Sequence, residues 1–348
     1  MSQGESKLPG MNAISRRGAL QGSAALMAGT LGVPGLSFGQ ATPKLAGVSF
    51  SLSSISSQGA TIIKKLGFDK KHGWDLDVVV RTSTEAYYND FVSGGFDAWH
   101  VGGVYIMGRL ASRGVPITLV AATLRYPYPM VASTESGIKS IADLKGKKIG
   151  MDRAGYMYVG LVEIAKTAGI DLEKDCQVVN MGLLQTIPRL QRGDVDASPM
   201  LFEQGLQVVQ DAPDKFHIPF DCDLERARAF GAKALYQYLA IRTDWVEANK
   251  AVIPNIVASY RDMADFFRAN APEAVKILSS SKDQGGAEMR PPIAAAMYLT
   301  GILGGLKTVW TAIPAAEQED DIFKELEKYK DSNLLDKLPD RKTFVHRG

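Results

Sequence analysis

Between residues 44 and 201, short apolar runs alternate with segments whose apolar residues recur every three or four positions. The runs at 48–50, 76–80, 96–99 and 117–121 read as strands; the second ends in Val78-Val79-Val80, β-branched residues that suit a pleated surface. The segments 60–66, 85–92 and 104–110 read as the helices between them. A second series follows the cluster Tyr126-Pro127-Tyr128-Pro129, with strands at 130–132, 148–151, 178–180 and 197–201 and helices at 156–168 and 184–190. Such alternation implies parallel strands with helices on both sheet faces. The stretch 211–233 is polar and reads as irregular, 238–242 as one more strand, and everything beyond 244 as helical. There Ile253, Ile256, Val257, Tyr260, Ala264 and Phe267 form one apolar face, with Asp244 as the expected N-cap. A late apolar stretch, 293–309, contains Lys307 and follows Pro291-Pro292, which marks it as a buried helix rather than a membrane span.

Two α/β series joined by extended crossings predict two lobes. Residues 41–128 and 241–348 would form a discontinuous first lobe, and 129–240 the second, inserted into it. Ligands of open α/β sheets bind beyond the carboxyl ends of the strands, so the cleft between the lobes is the expected site.

Charge changes the picture at one end only. The formal net charge is +2, and the first forty residues hold Lys7, Arg16 and Arg17 against Glu5, which leaves the remainder near neutral. A neutral body lacks the basic stripe of a nucleic-acid binder and gives no electrostatic reason to dock on anionic lipid. Ser15-Arg16-Arg17 precedes a modest apolar stretch, 19–36, broken by Gly22, Gly29, Gly32 and Pro34, and small or polar residues follow it. Residues 1–40 therefore predict an export signal of the twin-arginine type, without stable membrane insertion, and a periplasmic body. Cys176 and Cys222 can pair in that compartment or stay as free thiols. His72, His100, His217 and His346 are scattered without metal-ligand spacing, and no cofactor is expected.

Four phrases carry a resemblance. They are Gly67-Phe68-Asp69-Lys70-Lys71-His72-Gly73-Trp74-Asp75-Leu76, Ser93-Gly94-Gly95-Phe96-Asp97-Ala98, Gln191-Arg192-Gly193-Asp194-Val195-Asp196-Ala197 and the specific one, 136–150, which reads SGIKSIADLKGKKIG. Together they resemble the solute-binding proteins of ABC transporters of the nitrate, sulfonate and taurine type. The resemblance implies a two-lobed type II periplasmic-binding clamshell, each lobe a mainly parallel sheet flanked by helices, with two hinge crossings. It also implies a small-molecule ligand, an ABC importer permease as partner, and a monomer. Trp99 and His100 replace the smaller or apolar residues usual after the third strand, a departure that bears on ligand choice.

Loops at helix N-termini offer unpaired N–H groups and hydroxyls, and four such loops face the expected cleft. Ser53 and Ser54 lie in the first, and His100 and Gly102 in the one after the third strand; Ser83, ahead of the helix at 85–92, is a further candidate outside the four. Arg153, Tyr156 and Tyr158 lie in the matching turn of the second lobe, and Glu203 where family members often carry a Glu-Pro pair. Arg125 and Arg153 suit a two-pronged clamp on a carboxylate or sulfonate, and Tyr238 marks the second crossing. The mixture predicts a small organic anion with a planar body. Each residue also has a plainer role open to it: a helix cap for the serines, a solvated surface position for the arginines, hinge packing for Tyr238. The clamshell also serves in a few enzymes of pyrimidine and thiamine-precursor chemistry, and a periplasmic sensor partner of a receptor would share the same sequence features.

Overall fold

The computed structural model describes residues 41–50, 55–81, 84–125, 127–153, 156–230, 236–280, 309–331 and 334–348. The predicted export signal (1–40) and most of the predicted helix at 293–309 lie outside them.

A six-stranded sheet holds the first half. Its members are β1 (Lys44–Phe50), β2 (Asp75–Arg81), β3 (Ala98–Gly103), β4 (Ile117–Arg125), β10 (Tyr236–Arg242) and β11 (Trp310–Pro314), in the order β11-β4-β10-β3-β1-β2. A five-stranded sheet holds the second, from β5 (Pro129–Ser133), β6 (Lys148–Met151), β7 (Gln177–Asn180), β8 (Ala197–Pro199) and β9 (Phe216–Asp221), in the order β7-β6-β8-β5-β9. Helices α1 (Ile55–Leu66), α2 (Phe68–Lys71), α3 (Thr84–Val92) and α4 (Val104–Ser112) fill the first series. In the second series come α5 (Tyr156–Thr167), α6 (Leu172–Asp175), α7 (Leu183–Gln191), α8 (Phe202–Asp211) and α9 (Cys222–Phe230). After β10 follow α10 (Thr243–Ala248), α11 (Ile253–Ala269), α12 (Ala271–Ser279), α13 (Glu319–Asp331) and α14 (Arg341–Phe344).

The two α/β series stand as the apolar pattern predicts, with four differences. Pairings are less parallel than expected: β10 runs antiparallel to both β3 and β4, β11 to β4, and β5 to both β8 and β9. The whole of β10 belongs to the six-stranded sheet, so the chain changes sheets before Tyr236 and not between 240 and 241. The stretch 211–233 is ordered as β9 and α9: Phe216, Ile218 and Phe220 alternate along β9, which pairs with β5, within surroundings polar enough to mask them. The tail beyond 244 contains β11, and the first helix there is short, with Asp244 in its first turn and the long helix starting at Ile253.

Strand β4 is buried along eight of its nine residues, as a strand covered on both faces must be. One face packs on α1 and α11, whose Ile253, Ile256, Val257, Tyr260, Met263, Ala264 and Phe267 are all buried. Trp74 is pinned to this layer, its indole Nε1 donating to Ser259 Oγ at 2.8 Å. The other face packs on α3, α4 and α13.

The segment carrying the family resemblance has a local explanation. Ser140 and Asp143 form a reciprocal capping box around a 3-10 turn at Ile141–Leu144. Gly137 and Gly146 flank it at φ 69° and 78°, left-handed conformations that favour glycine. The phrase thus sets up the entry into β6.

Candidate functional site

Strand direction locates the site before any side chain does. In the first sheet β1, β2, β3 and β4 all run one way, so their carboxyl ends at Phe50, Arg81, Gly103 and Arg125 share an edge with the start of β10. In the second sheet β6, β8 and β9 run together, and their ends at Met151, Pro199 and Asp221 share an edge with the start of β5. The chain passes between the sheets through these edges, from Arg125 to Pro129 and from α9 to Tyr236.

At this junction the halves interlock. Phe202 and Leu206 of α8 belong to the core layer under α1 and α11, and Val159 of α5 belongs to the layer under α3 and α13. Tyr128 packs on core residues of both halves.

The polar groups gathered here are acidic and phenolic. Asp221 caps α9, its Oδ1 accepting from the Leu224 N–H at 3.0 Å. Asp223 lies in the first turn of that helix, 2% exposed, and its Oδ2 accepts from Arg125 Nε at 3.3 Å. Burial pushes the Asp221 carboxyl up to about 6. Burial, with the Asp221 charge beside it, pushes Asp223 up to about 7. Tyr128 titrates well above its ordinary value, first through burial and then through Tyr88, Asp223, Glu203 and Asp221. Tyr88, from the first half, is raised by burial and by Asp152 of the second half, and its ring lies 5.0 Å from that of Trp99 in an edge-on contact. Beside this cluster, Arg226 of α9 is 3% exposed at its side chain and binds two glutamates from different helices. Its Nε donates to Glu163 at 2.6 Å, and its Nη2 to both oxygens of Glu325 at 2.5 and 2.6 Å.

The structure brings some of the predicted residues together and disperses others. Arg125 stands at the junction, its guanidinium engaged by Asp223. Gly102 is buried on β3 opposite Tyr238, and a Cβ there would fall 2.2 Å from Met107 Cε. Tyr238 is 3% exposed inside β10, in the core layer below the junction. Glu203 is 5% exposed in the first turn of α8. Arg153 is exposed and turned to the flank, where it holds Glu173 through Nε at 3.0 Å and Nη2 at 2.7 Å and also reaches the Val178 carbonyl. Tyr158 donates to the same Glu173 at 2.6 Å; burial and that carboxylate push its hydroxyl up to about 12. Ser53, Ser54 and Ser83 lie outside the described residues, as do the side chains of His100, on β3, and Tyr156, at the start of α5.

The sequence reading did not single out Tyr88, Asp152, Asp221 or Asp223. The phrase Asp221-Cys222-Asp223, which opens a nine-residue helix with Asp221 as its cap, was a legible cap signal, hidden by the polar character of its surroundings. Both cysteines are buried free thiols, and burial raises each above its ordinary value. Among the described residues no helix is long and apolar enough to cross a membrane.

Comparison with known proteins agrees with this architecture. A curated relative from Brucella abortus (strain 2308), named as a candidate binding protein, is 25% identical over 218 residues, covering 62% of this chain. This chain in turn spans 65% of the length of that relative. The alkanesulfonate-binding protein SsuA from Xanthomonas axonopodis pv. citri, bound to MOPS, superposes with a TM-score of 0.69 at 12% identity, over 88% of this chain and 98% of that one. The desulfurization enzyme DSZB shares the fold with a TM-score of 0.59 at 13% identity, over 87% and 96% of the two chains. The NMT1/THI5-like family profile matches residues 57–274, and with the two-sheet α/β fold around this junction it establishes that the chain belongs to that family.

Proposed function

We propose that this chain is an extracytoplasmic solute-binding protein that holds a small molecule at the junction of its two sheets and delivers it to an ABC importer. The observation that carries the reading is the convergence of the strand carboxyl ends of both sheets on one buried cluster of tyrosines and carboxyls bridged by Arg125. Such edges are where open α/β sheets hold ligands. Family membership and the shared fold with a sulfonate-binding protein support it.

The two halves, roughly 42–125 with 236–348 and 129–230, act as lobes, and the two crossings of the chain between the sheets act as hinges. A solute touching both lobes favours the closed form in proportion to its differential affinity for it. Arg125 and Glu203 stand at the junction, and Ser53, Ser54, Ser83, His100 and Tyr156 are the further candidates for contact with the solute. Arg153 and Tyr158 are held together on the flank by Glu173. Residues 1–40 serve as a twin-arginine export signal, and the mature protein works as a periplasmic monomer.

The fold alone does not decide between binder and enzyme, since DSZB shares it. The binder reading is favoured by family membership together with the fold shared with a sulfonate-binding protein. A thermal-shift screen of small solutes tests the proposal: a ligand that binds only the folded state raises the melting temperature by mass action. A solute consumed during the incubation would point to catalysis instead.

A further inference from the structure

We propose that the solute held at this junction carries a protonated nitrogen, an amine or amidinium, and that it donates to the carboxylate of Asp223. The inference rests on the solute-binding reading above and narrows its ligand class, away from the organic anion that the sequence suggests.

Asp223 is placed for this role by the fold. It follows the carboxyl end of β9, on the edge that meets the carboxyl end of β4, and Arg125 of that strand reaches across to it. Only one of its oxygens is used. Oδ2 takes the Arg125 Nε–H at a long 3.3 Å, whereas Oδ1 is buried with no hydrogen-bond partner among the described residues. A buried carboxylate oxygen without a donor costs more than almost any other polar arrangement, so a site built around one is built for a donor.

The charge balance points to the same kind of donor. Four carboxyls, Glu163, Asp221, Asp223 and Glu325, gather around two guanidiniums, Arg125 and Arg226. Arg226 is taken by the two glutamates, and the other candidate anion clamp, Arg153, is held by Glu173. The groups facing Asp223 are Arg125 from β4, Tyr128 from the first passage, Asp221 from β9, Tyr236 from β10 and Arg226 on its own helix. Two of these are phenols, whose ring faces attract a cation. Because burial holds the Asp223 carboxyl at about 7, a proton and a cationic solute compete for the same oxygen near neutral pH.

The test uses the full chain and four probes with one ring and different charge: benzylamine and benzamidine against benzoate and benzenesulfonate. The cations are expected to raise the melting temperature and the anions to leave it unchanged. Asp223→Asn, which keeps an oxygen acceptor for Arg125, is expected to weaken the binding of the better cation on the order of 10- to 100-fold, the worth of a hydrogen bond to a charged group. Calorimetry of the wild type in two buffers of different ionisation enthalpy is expected to show proton release on binding near pH 7. Binding of the anions in preference to the cations would overturn the inference and leave the solute-binding reading standing. An unchanged cation affinity in Asp223→Asn would also overturn it. No binding by any of the four would count against both.

Discussion

Removing Arg226 is the sharpest perturbation of the interlocked halves. Its side chain is 3% exposed, and the glutamates it holds, Glu163 and Glu325, are 17% and 10% exposed. Glu325 also accepts from the Tyr329 hydroxyl at 2.5 Å, so its position is fixed from a second side. A solvent-exposed ion pair would be worth about 0–1 kcal/mol. Here all three members are mostly out of water, and truncating the cation strands two carboxylates against each other. The relevant figure is that for breaking a buried pair, about 3–5 kcal/mol. Arg226→Met keeps the apolar stem and removes the charge, so urea unfolding at pH 7 should show that loss relative to wild type. Adding Glu163→Gln and Glu325→Gln to the methionine variant should restore at least half the stability, since neutral amides no longer repel and the amide oxygen at position 325 still accepts from Tyr329. A loss under about 1 kcal/mol, or no recovery in the triple variant, would refute the view that the network is buried and cooperative.

Three further outcomes follow from the same geometry. Asp221 and Asp223 sit at about 6 and about 7 when folded, against about 3.9 for an unfolded aspartate. The folded state therefore binds more protons between pH 4 and 7, and their contribution to stability is lost as pH rises through that window; Asp223→Asn should flatten the wild-type slope in urea titrations there, and an unchanged slope would count against the assignment. Ser259→Ala removes the acceptor of the buried Trp74 indole and should cost about 1–3 kcal/mol in urea unfolding. Arg153→Ala should cost under about 1 kcal/mol, because its partner Glu173 is as exposed as it is, and should leave solute affinity unchanged by calorimetry.

Backbone fit sets one more limit on the fold. A Cβ on Gly59 of α1 would fall 2.6 Å from the Trp310 ring, so Gly59→Ala should destabilise by about 1–3 kcal/mol through overpacking of α1 against β11. A neutral substitution in thermal unfolding would show that this interface yields more readily than its geometry indicates.

The sequence alone determined what depends on local periodicity and local backbone need. The two α/β series, the apolar face of the long helix at Ile253–Ala269 and the turn from Gly137 to Gly146 were legible because each is set by residues a few positions apart. Family membership was legible for the same reason, through the phrase 136–150. The tertiary structure decided everything that rests on partners distant in the chain. Strand β10 lies antiparallel between β3 and β4, a direction no periodicity encodes. Charged side chains were the least legible of all. Arg125, Arg153 and Arg226 look alike in sequence, yet one meets Asp223, one a flank glutamate, and one a buried pair contributed by α5 and α13. What a guanidinium does is set by which carboxylates the fold brings within about 3 Å and how much water it removes, and both are properties of the packed molecule.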